Sequence, residues 1–178
     1  MKSPVSSKQE CVKLIEIPKP LDQLTEKEIE RKACIGKIMT YTLRSLSSTF
    51  VNKGFQWLLP VALSQSTDPL WPDPGASIEK RIEVDIYGKT VRTTASMIIH
   101  KLIAASTAYP KLFILSPNIR IEKADRAKTG KHIYEFTQLD FEARNATSKD
   151  VMTIVEDALC TLVKDLKREM KTELTTLC

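Results

Sequence analysis

Arg120 and Glu122 stand two apart at the end of one apolar run, and Phe136, Gln138, Asp140 and Glu142 recur at every second position of the next. In a strand, residues two apart point to the same face. Paired strands would therefore gather a guanidinium, several carboxylates, an amide and an aromatic ring on one face. Ile119, Ile121, Leu139 and Phe141 supply a separate apolar face. Antiparallel sheets commonly turn polar groups to solvent, but this set is too mixed in charge for an idle surface. Where two anions must meet, a fixed cation is needed between them. Arginine suits that task because its planar fork binds phosphate and carboxylate bidentately. An aromatic side chain offers a π-face to a flat heterocycle. Between the two runs lies a basic loop with Lys123, Arg126, Lys128 and Lys131, followed by His132. A charged loop is most often a solvated one, so no single cation in it is decisive.

The Arg120-x-Glu122 strand, the basic loop and the His132-x-x-Glu135-Phe136 strand together resemble motif 2 of class II aminoacyl-tRNA synthetases, in the branch that handles aspartate, asparagine and lysine. Upstream, the run from Lys53 to Pro60 (KGFQWLLP) is similar to motif 1, where a long helix leads into a strand that ends in proline. Ser96-Met97-Ile98-Ile99-His100-Lys101 resembles the amino-acid-binding segment of the aspartyl and asparaginyl members. The likeness runs from about residue 30 to 170, with motif 1 at about 35–62 and motif 2 at about 113–142. Within the branch, the run from Thr67 to Pro74 and the run from Glu135 to Glu142 most resemble the archaeal asparagine synthetase related to asparaginyl-tRNA synthetases.

That resemblance implies an α+β fold, an antiparallel sheet flanked by helices. It implies activation of aspartate by ATP as aspartyl-adenylate, with Mg2+ arriving on the nucleotide, and asparagine synthesis as the outcome. The alternatives are a piece of an aspartyl- or asparaginyl-tRNA synthetase, or a non-catalytic paralogue that binds nucleotide or a partner. Arg120 would lie between the α-phosphate and the substrate carboxylate. Glu122 would face adenine or a magnesium ion, Phe136 would stack on adenine, and His132 would reach the triphosphate. Ser96 and Gln138 would contact the amino acid, and Asp140 its ammonium group. Lys101 would neutralise the side-chain carboxylate of aspartate; without that role it would be a solvated helix lysine. Asp68 belongs to the segment that resembles a loop closing over the amino acid. Ile98 departs from the aspartyl pattern, where glutamine is usual, and weakens the expected ammonium contacts.

The resemblance also sets an expectation by what is missing. Motif 3 of the family is a glycine-rich strand and helix carrying a triphosphate-binding arginine, and of the five glycines none follows Gly130. The sequence therefore reads as the N-terminal half of such a catalytic domain, incomplete by itself, with a partner segment that would supply motif 3. Motif 1 implies a homodimer, and whether tRNA is an acceptor stays open.

The elements that must position these residues can be read in outline. Residues 1–24 read as an extended or disordered lead-in and 25–178 as the partial catalytic domain. Thr25 with Glu28 makes a capping box, and apolar spacing predicts a helix over about 25–52. Phe55–Leu63 reads as a strand broken by Pro60, 64–81 as a loop, and 82–86 with 90–94 as a hairpin around Tyr87-Gly88-Lys89. Ser96 can cap a helix that reaches Tyr109 before Pro110. Ser148 can cap a last helix with Val151, Ile154, Val155, Leu159, Leu162, Val163 and Leu166 on one side. The chain of 178 residues, 42% hydrophobic, suffices for one cored domain. Its net charge of +5 is compatible with nucleotide or nucleic-acid partners. Four cysteines without CxxC spacing and only two histidines argue against a structural zinc site and for reduced thiols in a cytoplasmic protein. No apolar run approaches membrane-span length.

Overall fold

A computed structural model of the protein describes residues 23–66, 78–127, 129 and 132–177. Along the chain the elements are α1 (Glu26–Asn52), β1 (Gln56–Trp57), β2 (Leu63–Ser64), β3 (Ile78–Lys80), β4 (Glu83–Ile86), β5 (Lys89–Thr93) and α2 (Ile98–Thr107). They continue with β6 (Lys111–Ile119), β7 (Ile121–Glu122), α3 (Ala124–Ala127), β8 (Glu135–Ala143), α4 (Ser148–Glu169) and α5 (Lys171–Leu177). The described chain falls into two compact units. One draws on 61–99 and Ser116–Gln138, the other on 23–60, His100–Leu115 and 139–177. Strands β6 and β8 each contribute residues to both.

The second unit holds the larger core. Its α1 starts as the sequence predicts: the Thr25 hydroxyl accepts from the Glu28 N–H, and the Glu28 carboxylate accepts from the Thr25 N–H. The helix ends at a residue that only glycine fits well. Gly54 has φ +83, its N–H donates to Val51 O, and the Phe55 N–H reaches back to Phe50 O at 3.0 Å. This is a Schellman ending, whose reversal satisfies two terminal carbonyls. It also drops Phe55 onto Phe50, with ring centroids 5.2 Å apart and edge to face. Phe113 and Phe141 close on Phe50 at 5.4 and 5.1 Å, and Ala158 of α4 completes the cluster. Offset and edge-on rings at these distances are the favoured aromatic packings. Motif-1 and motif-2 segments thus share a core.

In that unit β1 lies parallel to β6, pairing Gln56 with Leu112 and Trp57 with Phe113, and β6 is flanked on its other side by β8. The strand expected over 55–63 is two short pieces. β1 belongs to this sheet and β2 to another, because the chain through Pro60 lacks a donor to continue either ladder. The last helix begins at Ser148, but its N-cap is Thr147, whose hydroxyl and N–H are matched by Asp150 three residues on. From α4, Ile154, Ala158, Leu162 and Leu166 turn inward to differing degrees; Val151, Val155, Leu159 and Val163 remain exposed. The helix also breaks at Met170, and α5 follows.

The first unit is built on the hairpin. β4 pairs antiparallel with β5, Ile86 opposite Lys89, across Tyr87 (φ 52) and Gly88 (φ 74). Two consecutive positive φ values give the turn whose twist matches flanking strands. β2 pairs with the other edge of β5. β3 and β7 form a separate antiparallel pair, Ile78 opposite Glu122. Expectations for residues 1–22 and for most of the 64–81 loop fall outside the described residues.

Candidate functional site

In the first unit the buried stretch Thr94-Ala95 is pinned on both sides. Thr94 donates its N–H to Ala62 O and its hydroxyl to Val61 O, while the Ile119 N–H donates to Thr94 O at 2.9 Å. This brings the end of β6 beside Ala95. Arg120 follows directly, with its Nε donating to Ala95 O at 3.0 Å and its N–H to Tyr134 O at 2.8 Å. The guanidinium carbon stands 5.2 Å from the centroid of the half-buried Phe136 ring. One nitrogen of the fork is thus anchored to backbone and its face is backed by an aromatic ring, a favourable cation–π position.

β6 ends at Ile119, and Ile121–Glu122 belongs to the ladder with β3. Arg120 and Glu122 are therefore not successive outward positions of one strand, as their spacing suggests. The chain changes sheets at Arg120, which is what frees that side chain to fold over Phe136. Glu122 Oε2 is buried and has no hydrogen-bond partner among the described residues. A buried carboxylate oxygen left without a donor is costly, and it is fit to accept an N–H or to face a cation.

His132 meets Thr129 through its Nδ1 at 3.0 Å. Lys128 and Lys131 lie outside the described residues, as does Asp68; Lys123 and Arg126 are exposed. Ser96 Oγ accepts the N–H of Ile98, the first residue of α2, at 3.2 Å from two positions back. Gln138 is exposed, and its Oε1 accepts from Asn118 Nδ2 at 3.1 Å. Neither Asn118 nor its neighbour Ser116 stands out in the sequence, although both share the even-numbered parity of Arg120, which was the available signal.

In the second unit Lys101 projects from α2 between two carboxylates of β8. Its Nζ lies 3.0 Å from Asp140 Oδ1 and 3.1 Å from Glu142 Oε1. The side chains are 7%, 15% and 27% exposed respectively. Lys101 is thus neither a solvated helix lysine nor an unmatched cation. One lysine against two carboxylates leaves one formal negative charge in excess; Lys101 and Asp140, expected at opposite charges of the amino acid, meet each other here, and Glu142, given no site role by the sequence, joins them. The two carboxylates reach one ammonium because they are two apart on one strand.

Comparison with known proteins bears on these groups. A family model described as tRNA synthetases class II (D, K and N) matches residues 75–177. The aspartate–tRNA(Asp/Asn) ligase of Saccharolobus solfataricus is 27% identical over 152 residues, covering 85% of this chain and 32% of that protein. The asparagine–tRNA ligase of Koribacter versatilis is also 27% identical over 152 residues, covering 83% of this chain and 31% of that one. This chain therefore spans about a third of the length of these curated relatives. Among solved structures, asparaginyl-tRNA synthetase from Pyrococcus horikoshii, complexed with asparaginyl-adenylate, matches with a TM-score of 0.70 at 18% identity. That match covers 92% of this chain and 38% of the other. Asparaginyl-tRNA synthetase of Entamoeba histolytica matches with a TM-score of 0.59 at 15% identity, covering 78% of this chain and 28% of the other. At such identities the structural likeness shows the fold, an α+β arrangement of helices with antiparallel and mixed sheets. No helix among the described residues is long and apolar enough to cross a membrane.

Proposed function

We propose that this chain, which belongs to the class II tRNA synthetases (D, K and N), provides part of a site that joins an amino acid to the α-phosphate of ATP for transfer to tRNA. The observation that carries the reading is Arg120. It is held by Ala95 O on one side and Phe136 beneath, with the rest of its fork available to anions. Bringing two anions together needs such a fixed cation, and a preorganised donor acts where charge develops. Phe136 offers its ring to adenine. Glu122, with its unpartnered buried oxygen, accepts from the adenine amino group or holds water on a magnesium ion carried by the nucleotide. His132 meets the triphosphate.

The relatives named above are tRNA ligases. They favour the tRNA reading over free asparagine synthesis, which the sequence run from Thr67 to Pro74 suggests. Aspartate and asparagine are the substrates that the relatives' names support. For aspartate, the cluster at Lys101 works by exchange. Asp140 turns from Lys101 to the incoming ammonium, and the ligand's side-chain carboxylate takes the vacated place beside Lys101. The formal excess of negative charge in the cluster favours that entry of an ammonium. Within the first unit, Ser96 and Gln138 are the residues we assign to the amino acid. The apolar side chains on α1 and β1 form the contact with a second copy of the chain.

The amino acid is identified by calorimetric titration with stable aspartyl-, asparaginyl- and lysyl-adenylate analogues. Preference for the aspartyl or asparaginyl compound is expected. Tighter binding of the lysyl analogue sinks the assignment of Lys101, Asp140 and Glu142.

A further inference from the structure

Ser116 and Asn118 are fully buried polar residues of β6 that the proposed chemistry does not use. Their hydrogen bonds form one directed chain. Ser116 Oγ donates to Asn118 Oδ1 at 3.2 Å. Asn118 Nδ2 donates to Gln138 Oε1 at 3.1 Å and approaches the backbone oxygen of Ser116 at 3.4 Å. That backbone oxygen sets the direction. A carbonyl only accepts, so the Asn118 group turned toward it is the NH2. The Ser116 hydroxyl, free to rotate, then supplies the donor that Asn118 Oδ1 requires. Gln138 receives a donor, and its own carbonyl oxygen is occupied. The reversed arrangement would set two carbonyl oxygens against each other in a site closed to water, where unmatched polar groups are most costly.

We infer that Asn118 is a positioning residue, which holds the Gln138 amide with its NH2 turned outward so that Gln138 takes a hydrogen-bond acceptor, a carboxylate of the bound amino acid. A free glutamine amide on a surface presents donor or acceptor with equal ease. The tether to a fully buried asparagine removes that choice and makes Gln138 selective for the anionic end of its ligand. This inference rests on the proposed role of Gln138 at the amino acid.

The test uses the whole chain labelled with nitrogen-15. Side-chain amide signals are assigned with Asn118→Leu and Gln138→Glu. In the wild type, both Gln138 Nε2 protons should exchange freely with water while the Asn118 Nδ2 protons are protected. One protected, hydrogen-bonded Gln138 amide proton in the wild type overturns the direction of the chain, and this requires no variant to fold. Titration with L-aspartate should shift the Gln138 amide signal. In Asn118→Leu the dissociation constant for L-aspartate should rise about tenfold, the effect of one mispresented hydrogen bond to a charged group. Equal affinity in Asn118→Leu and wild type, beside weakened binding in Gln138→Ala, overturns the positioning role and leaves the amino-acid reading standing. Absence of binding by both L-aspartate and L-asparagine to the wild type overturns the amino-acid reading, while the wild-type exchange pattern still decides the direction of the chain.

Discussion

Lys101, Asp140 and Glu142 show why a proposed substrate residue must also be read as a structural one. A lysine with 7% of its side chain exposed is held by two carboxylates, and removing one member of a buried ion cluster leaves the others unpaired. Lys101→Ala should therefore destabilise the protein by about 3 kcal/mol, the scale for breaking a buried pair. Urea unfolding measures this; a loss under about 0.5 kcal/mol would mean that the cluster is solvated. Aspartate binding by that variant has meaning only beside its unfolding curve. Lys101→Met combined with Asp140→Asn and Glu142→Gln should recover most of the stability without recovering ligand binding. Much of this level could be read from the sequence. Parity placed Asp140 and Glu142 together, and the motif-2 resemblance pointed to Arg120 and Phe136. The sequence could not show that Lys101 meets those carboxylates, because that contact depends on how α2 lies beside β8. Nor could it show that the chain leaves one sheet at Arg120, since alternation continues unbroken through Ile121 and Glu122 while the pairing partner changes.

At the scale of elements, ends proved more legible than faces. Thr25 and Glu28 predicted the start of α1, and Thr147 with Asp150 carries the same spacing. Ser148 is an equally good capping type, so only the acid three residues on separates the two. The hydrogen bonds from the Thr147 side chain and then its backbone hold the Asp150 carboxyl below its ordinary pKa. A carboxylate lowered in the folded state contributes stability above its unfolded value, about 3.9. That contribution is lost as pH falls through the folded value. Thr147→Ala should cost about 1 kcal/mol at neutral pH, and thermal melts below about pH 4 should show the difference from wild type shrinking. A difference that grows on acidification would contradict the cap. Gly54→Ala should cost about 1 kcal/mol through backbone strain at positive φ, because open space surrounds the added methyl. An unchanged midpoint in the same melts would rule out the Schellman ending. The apolar face of α4 misled, because its hydrophobic spacing is regular on a side where the described chain covers Ile154, Ala158, Leu162 and Leu166 but leaves Val151, Val155, Leu159 and Val163 exposed.

At the scale of the whole molecule, the exposed side chains of Leu43, Val51 and Trp57 line a cavity of about 550 Å3 with Leu115 along α1 and β1. Beneath them Ser47 Oγ is buried without a hydrogen-bond partner among the described residues. Exposed apolar surface of this kind marks an interface more often than a free surface. The proposed second copy should make the chain sediment as a dimer at micromolar concentration. Val51→Glu should shift it to monomer by placing a charge in the contact. A wild-type monomer at that concentration would remove α1 from any self-contact. Arg120 is the proposed cation between phosphate and carboxylate, and calorimetric titration of a stable aspartyl-adenylate analogue into wild type and Arg120→Ala tests that role. Wild type should bind the analogue, and Arg120→Ala should bind it about 10- to 100-fold more weakly, the loss of charge-assisted hydrogen bonds to phosphate and carboxylate. Equal affinity in the two proteins, with both folded, would contradict it.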